Sequence, residues 1–119
     1  MTPHKMAEWL SNHEGVITYV GLKNYTDIVK RAAQSTTVTY CSNVSGNLCS
    51  GPCTVSTGNG VCIDAPGTNC LTATTDVAFC DHENCGSSDG CHSLSQCGDS
   101  LNDGYCYTPG TNSISLPST

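Results

Sequence analysis

From Ala32 to Thr119 the chain contains no lysine and no arginine. Nucleic acid is therefore a poor partner for this stretch, because phosphate binding needs clustered cations. A ribonuclease-type site is disfavoured for the same reason, since its developing negative charge needs cationic support. No run approaches the about 18 apolar residues of a membrane-spanning helix, so no membrane span is expected. Aromatic residues make up 6% of the chain, with one Trp and one Phe, so stacking platforms for sugar rings are scarce. No two cysteines are adjacent and no pair has C-x-x-C spacing. That disfavours a thioredoxin-like redox site and a zinc ribbon.

Cysteine itself is abundant: ten in 119 residues, at Cys41, Cys49, Cys53, Cys62, Cys70, Cys80, Cys85, Cys91, Cys97 and Cys106. An even number at this density implies a disulfide-stapled scaffold in an oxidising compartment, so the protein is expected to be secreted and extracellular. Five bridges are expected, and spacing alone leaves their connectivity open. Each contributes on the order of 2–4 kcal/mol. Large apolar residues are few after Arg31, and a small core rarely supplies more than about 3–5 kcal/mol. The bridges are needed.

The charges divide the chain in two. Every cation (Lys5, Lys23, Lys30, Arg31) lies in residues 1–31, and every cysteine lies beyond. The break falls at the dibasic pair Lys30-Arg31, a target for processing endoproteases of the secretory pathway; the plainer reading is a basic helix end. Residues 1–31 are expected to be a pro-segment or docking segment, and residues 32–119 the cysteine-rich domain. Within the first, Met6–Leu10 suggests a short helix and Val16–Val20 a strand. Asn24 followed by Asp27 resembles an N-cap with its N3 partner. Val16–Leu22 is too short and polar to be a signal-peptide core.

In the cysteine-rich part, Thr36–Tyr40 has the β-branched and aromatic character of a strand. Asp76–Phe79 reads as a strand or helical turn, Asp81–Gly98 as bridged loop, and Ile114–Thr119 as a polar tail able to add an edge strand. A weak repeat relates Cys53-x8-Cys62, followed by Pro66-Gly67-Thr68-Asn69, to Cys97-x8-Cys106, followed by Pro109-Gly110-Thr111-Asn112. Each half carries a turn dipeptide, Asn59-Gly60 or Asp103-Gly104, that suits a type I′ hairpin. Two matched hairpins are expected, with Thr57 facing Cys62 and Leu101 facing Cys106.

The cluster Cys80-Asp81-His82-Glu83-Asn84-Cys85, with Cys91-His92 and Cys97, has the outline of a zinc site. Thiolate ligands require reducing conditions, so no metal and no cofactor are expected. His82-Glu83 lacks the second histidine of H-E-x-x-H, because position 86 is Gly. Asp99–Gly104 imitates the start of a calcium loop, but Leu101 stands where an oxygen ligand belongs. His82, Glu83 and His92 could serve as acid and base, but no cation accompanies them, so no catalytic residue is expected. Asn24-Tyr25-Thr26 and Asn43-Val44-Ser45 are N-glycosylation acceptors at Asn24 and Asn43.

The segments Cys70–Asp81 and Gly104–Thr111 resemble parts of small secreted cysteine-rich proteins of mushroom-forming fungi, the PriA-like proteins associated with fruiting primordia. The resemblance covers roughly residues 36 to 115. Lys30-Arg31 is similar to the dibasic junctions of fungal pro-segments. The resemblance implies a secreted fungal protein and supplies no catalytic residue.

The sequence thus predicts a small disulfide-rich, mainly β fold, with two hairpins, long bridged loops and a short α/β N-terminal segment. It points to a secreted, non-enzymatic interaction protein (effector, defence or developmental factor) binding a protein or glycan. A structural component of the cell wall or extracellular matrix is the alternative, and a small secreted toxin enzyme is third.

Overall fold

The computed structural model describes every residue except 14, 33, 87–89 and 119. The chain begins with helix α1, Pro3–Ser11. Thr2 caps it by accepting the Lys5 N–H at 3.2 Å, and Pro3 occupies the first turn, where an N–H has no helical partner. Met6 and Leu10, four residues apart, share the buried face,. Strand β1 follows at Ile17–Val20, then helix α2 at Thr26–Arg31. The expected capping geometry at α2 is displaced: Asn24 Oδ1 accepts the Thr26 N–H, and Asp27 accepts the Lys23 N–H.

The remaining strands are β2 (Thr36–Ser45), β3 (Leu48–Gly58), β4 (Cys62–Ala73), β5 (Ala78–Cys80), β6 (Cys91–Ser93) and β7 (Cys106–Ser115). All seven form one sheet in the order β1-β3-β2-β4-β7-β5-β6. The fold is mainly β and disulfide-rich, with ten cysteines in five bridges: Cys41–Cys53, Cys49–Cys70, Cys62–Cys85, Cys80–Cys91 and Cys97–Cys106. No described helix is long and apolar enough to cross a membrane.

The hairpins form at other places than the turn dipeptides suggest. β2 and β3 are joined through Gly46-Asn47, with Ser45 opposite Leu48. Gly46 has φ 63° and no other positive-φ residue adjoins it, as in turns with Gly at the first central position. β5 and β6 pair across residues 81–90, so a strand lies inside the segment expected to be loop. At Asn59-Gly60 no hairpin forms. Thr57 lies opposite Thr37, not Cys62, because β4 crosses to the far side of β2. Asp103-Gly104 does turn with both φ positive, 64° and 80°. A one-residue offset places Ser100, not Leu101, opposite Cys106.

The repeat has a different meaning from matched hairpins. Its two Pro-Gly-Thr-Asn tetrads face each other across β4 and β7, with Thr68 opposite Thr111 and the ladder shifting register on both sides of Thr68. Gly67 and Gly110 both have positive φ, as bulged strands require. The Asn side chains act alike: Asn69 donates to the Ser42 carbonyl at 2.6 Å and Asn112 to the Asp81 carbonyl at 2.7 Å. The C-terminal segment is no polar tail either. Ile114 is fully buried in β7 and Leu116 is buried after it.

Besides the cluster of Cys41, Cys49, Cys53, Cys70 and Tyr105, the core has two apolar regions. Val38, Leu71, Ala73, Ile114, Leu116 and Val77 form one, with Phe79 and Leu94 packed against it. The other is built chiefly by residues 1–31: Met6, Leu10, Leu22 and Ile28 close around Val55 of β3.

Candidate functional site

The most distinctive surface in the molecule is the junction between residues 1–31 and the disulfide-braced sheet. β1 lies along β3 in parallel, pairing Ile17 with Cys53 and Val20 with Ser56. The Cys53 N–H donates to the Val16 carbonyl at 2.9 Å. Beneath, Cys53, Cys41 and Cys70 stand side by side across β3, β2 and β4. Trp9 of α1 packs on Tyr105 with ring centroids 4.6 Å apart and stacks on His13 at the same distance. The His13 Nε2 reaches the Gly51 carbonyl at 3.3 Å, and the Met1 amine donates to the Ala73 carbonyl at 3.1 Å. No disulfide joins residues 1–31 to the sheet, since that segment has no cysteine.

A cleft of about 1020 Å³ opens here between α1 and the β2–β3 turn, with Glu8, Trp9, Asn12, His13, Leu48 and Asp103 in its lining. Polar and charged groups surround it, and Trp9, partly exposed in its wall, contacts both His13 and Tyr105.

Lys30 and Arg31 end α2 and are exposed. Ile28, three residues before Arg31, is fully buried. A protease that grips an extended segment around Arg31 must first unwind α2, a local opening of the kind short helices with few contacts undergo. Asn24 and Asn43 are both exposed. Asn24 lies in the turn before α2, and Asn43 lies at the β2 irregularity opposite Ser50.

The acid–base candidates sit at the other end of the sheet. His82 Nδ1 lies 2.8 Å from Asp81 Oδ1, while His92 on β6 packs against Phe79 across the ladder. No hydrogen bond joins His82, Glu83 and His92 to one another among the described residues. The sulfurs of Cys41, Cys49 and Cys70 lie within 4.8 Å of one another, but all three are consumed by bridges to Cys53 and to each other.

Two features escape sequence reasoning. Asp76 gathers the Ser93 hydroxyl at 2.6 Å and the Ser95 N–H at 2.8 Å. The Ser93 bond above all holds its carboxyl below the usual carboxylate range. Tyr105 is buried. Burial pushes its hydroxyl well above the ordinary tyrosine pKa, and the nearby Asp103 carboxylate adds to this. Thr39 lies beside that hydroxyl and offsets part of the shift, yet neither oxygen completes a hydrogen bond of normal geometry.

No protein-family model, curated protein or solved structure matches this chain.

Proposed function

We propose that this is a secreted, disulfide-stabilised, non-enzymatic interaction protein that binds a protein or glycan as an effector, defence or developmental factor. Its resemblance to the PriA-like fungal proteins supports the last role. The observation that carries the reading is the bridging of all ten cysteines within a mainly β fold. Such bracing suits an oxidising extracellular setting. The non-enzymatic part of the reading is supported by the spacing of the acid–base candidates: His82 pairs with Asp81 while His92 packs against Phe79, and no hydrogen bond joins His82, Glu83 and His92 among the described residues. Processing after Arg31 belongs to this reading, supported by the exposed dibasic pair at the boundary of the charge partition.

The test is protein purified from culture medium, with binding to glycan arrays and to extracellular host proteins measured in solution. Saturable binding by a soluble monomer, retained when His82, Glu83 and His92 are all replaced by Ala, is the expected result. Loss of activity in that triple variant with its disulfides intact would reveal an active site. Detergent-insoluble assemblies would favour the structural-component alternative.

A further inference from the structure

We infer that β3 residues Cys53–Ser56 form a docking site for an extended peptide strand, and that residues 1–31 are its built-in occupant. The inference rests on the processing reading above.

The geometry is that of strand addition. β1 contributes only Ile17–Val20 to the sheet and runs parallel to β3. Its backbone supplies the ladder, while Ile17 and Tyr19 face the cluster around Val55. Ladder bonds plus alternate side chains in apolar recesses are how extended peptides bind sheet edges. Everything else that holds the segment is non-covalent: Trp9 on Tyr105, the Met1 amine on Ala73, and the buried Met6, Leu10 and Ile28. The five bridges, by contrast, all lie within Cys41–Cys106. The single peptide tether runs through Arg31.

The two parts differ in charge. Residues 1–31 carry four cations against three carboxylates, and residues 32–119 carry seven carboxylates and no cation. The occupant is therefore basic relative to its receptor. Once the tether is cut, β3 becomes the edge of the sheet whenever the segment leaves. Unpaired backbone groups beside Val55 and Tyr105 then form a template for another strand. The ligand chemistry follows: an extended peptide with β-branched or aromatic residues at alternate positions, as in Ile17-Thr18-Tyr19-Val20.

The experiment starts from the folded full chain, oxidised and cut after Arg31 with a dibasic-specific protease. A fluorescent synthetic peptide of residues 1–31 is then added, and exchange is followed by anisotropy. The cut protein should bind the peptide saturably and the uncut chain should not. With Cys53 bonded to Val16, the Thr18 N–H is the next donor toward β3 in a parallel ladder. A Thr18→Pro peptide should therefore bind about tenfold more weakly or worse. Equal binding by the Thr18→Pro or a scrambled peptide would overturn the inference. So would equal binding by the uncut chain, collapse of the cut domain, or domain dimers that the peptide does not dissolve. Resistance of Arg31 to cleavage would instead count against the processing reading. A variant with a sequence-specific protease site inserted between Ala32 and Thr36 then puts the same question to β3, with the same outcomes deciding it.

Discussion

Tyr105 carries an unusual load for one side chain. It is 2% exposed, packs against Trp9 of α1, and lies among the cystines of β2, β3 and β4. Among the described residues its hydroxyl completes no hydrogen bond of normal geometry, although Thr39 lies beside it, so burying it costs stability that the ring's packing offsets. Tyr105→Phe should therefore melt within about 1 kcal/mol of the parent at neutral pH, or above it. Tyr105→Ala should cost about 3–5 kcal/mol, as truncations of large buried rings do. The raised hydroxyl pKa adds a pH signature. A phenol that ionises later in the folded state than in the unfolded one contributes fully below about pH 10, the unfolded value. It loses that contribution as pH rises further. Thermal melts from pH 8 to 12 should show an alkaline loss of stability that Tyr105→Phe reduces. An identical alkaline limb in both proteins would show that Tyr105 is not the group responsible.

At the scale of elements, much of the pattern is legible in the sequence. The Met6–Leu10 helix, the Val16–Val20 strand and the Thr36–Tyr40 strand all form, because their spacing of apolar and β-branched residues matches the element's period. The turn chemistry of Asp103-Gly104 is legible for the same local reason. Pairing partners are not. Asn59-Gly60 has the composition of a hairpin, yet the chain beyond it crosses β2, and its partners are distant in sequence: the Gly60 N–H donates to the Pro117 carbonyl and the Leu116 N–H to the Val61 carbonyl. Gly46-Asn47 makes the actual β2–β3 hairpin from a less conspicuous dipeptide. The repeat was visible as sequence, but its function as a facing pair of bulges depends on β4 and β7 being neighbours. Gly46 offers a direct check. A Cβ there would meet nothing within 4 Å, but φ is 63°. Gly46→Ala should destabilise by roughly 1–2 kcal/mol through backbone strain alone. Gly98, equally open and without positive φ, should accept Ala with little change. Matching denaturant midpoints for the two variants would refute the turn geometry.

At the scale of the whole molecule, bridging was legible and connectivity was not, because even cysteine counts say nothing about which strands lie side by side. Cys41–Cys53 and Cys80–Cys91 join directly opposed residues of paired strands. Cys49–Cys70 and Cys62–Cys85 close the longest stretches, with separations of 21 and 23 residues. In the chain-entropy account the longer closures restrict the unfolded state more. Replacing Cys62 and Cys85 together by Ala should cost about 3 kcal/mol. Replacing Cys97 and Cys106, separated by 9 residues, should cost less. The two double variants can be ranked by chemical denaturation, and the reverse order would contradict this account. The junction with residues 1–31 was half legible: the charge partition and Trp9 pointed to it, but nothing in the sequence placed β1 in parallel on β3.

Disulfide mapping of the unreduced protein by mass spectrometry tests the central claim most directly, which is that five bridges brace the domain and leave no cysteine free. Digestion must rely on cleavage beside acidic or aromatic residues, since residues 32–119 contain no Lys or Arg. The account predicts no alkylation under denaturing, non-reducing conditions. It also predicts the pairs Cys41–Cys53, Cys49–Cys70, Cys62–Cys85, Cys80–Cys91 and Cys97–Cys106. An alkylated cysteine, or any other pairing such as Cys53–Cys62, would contradict it.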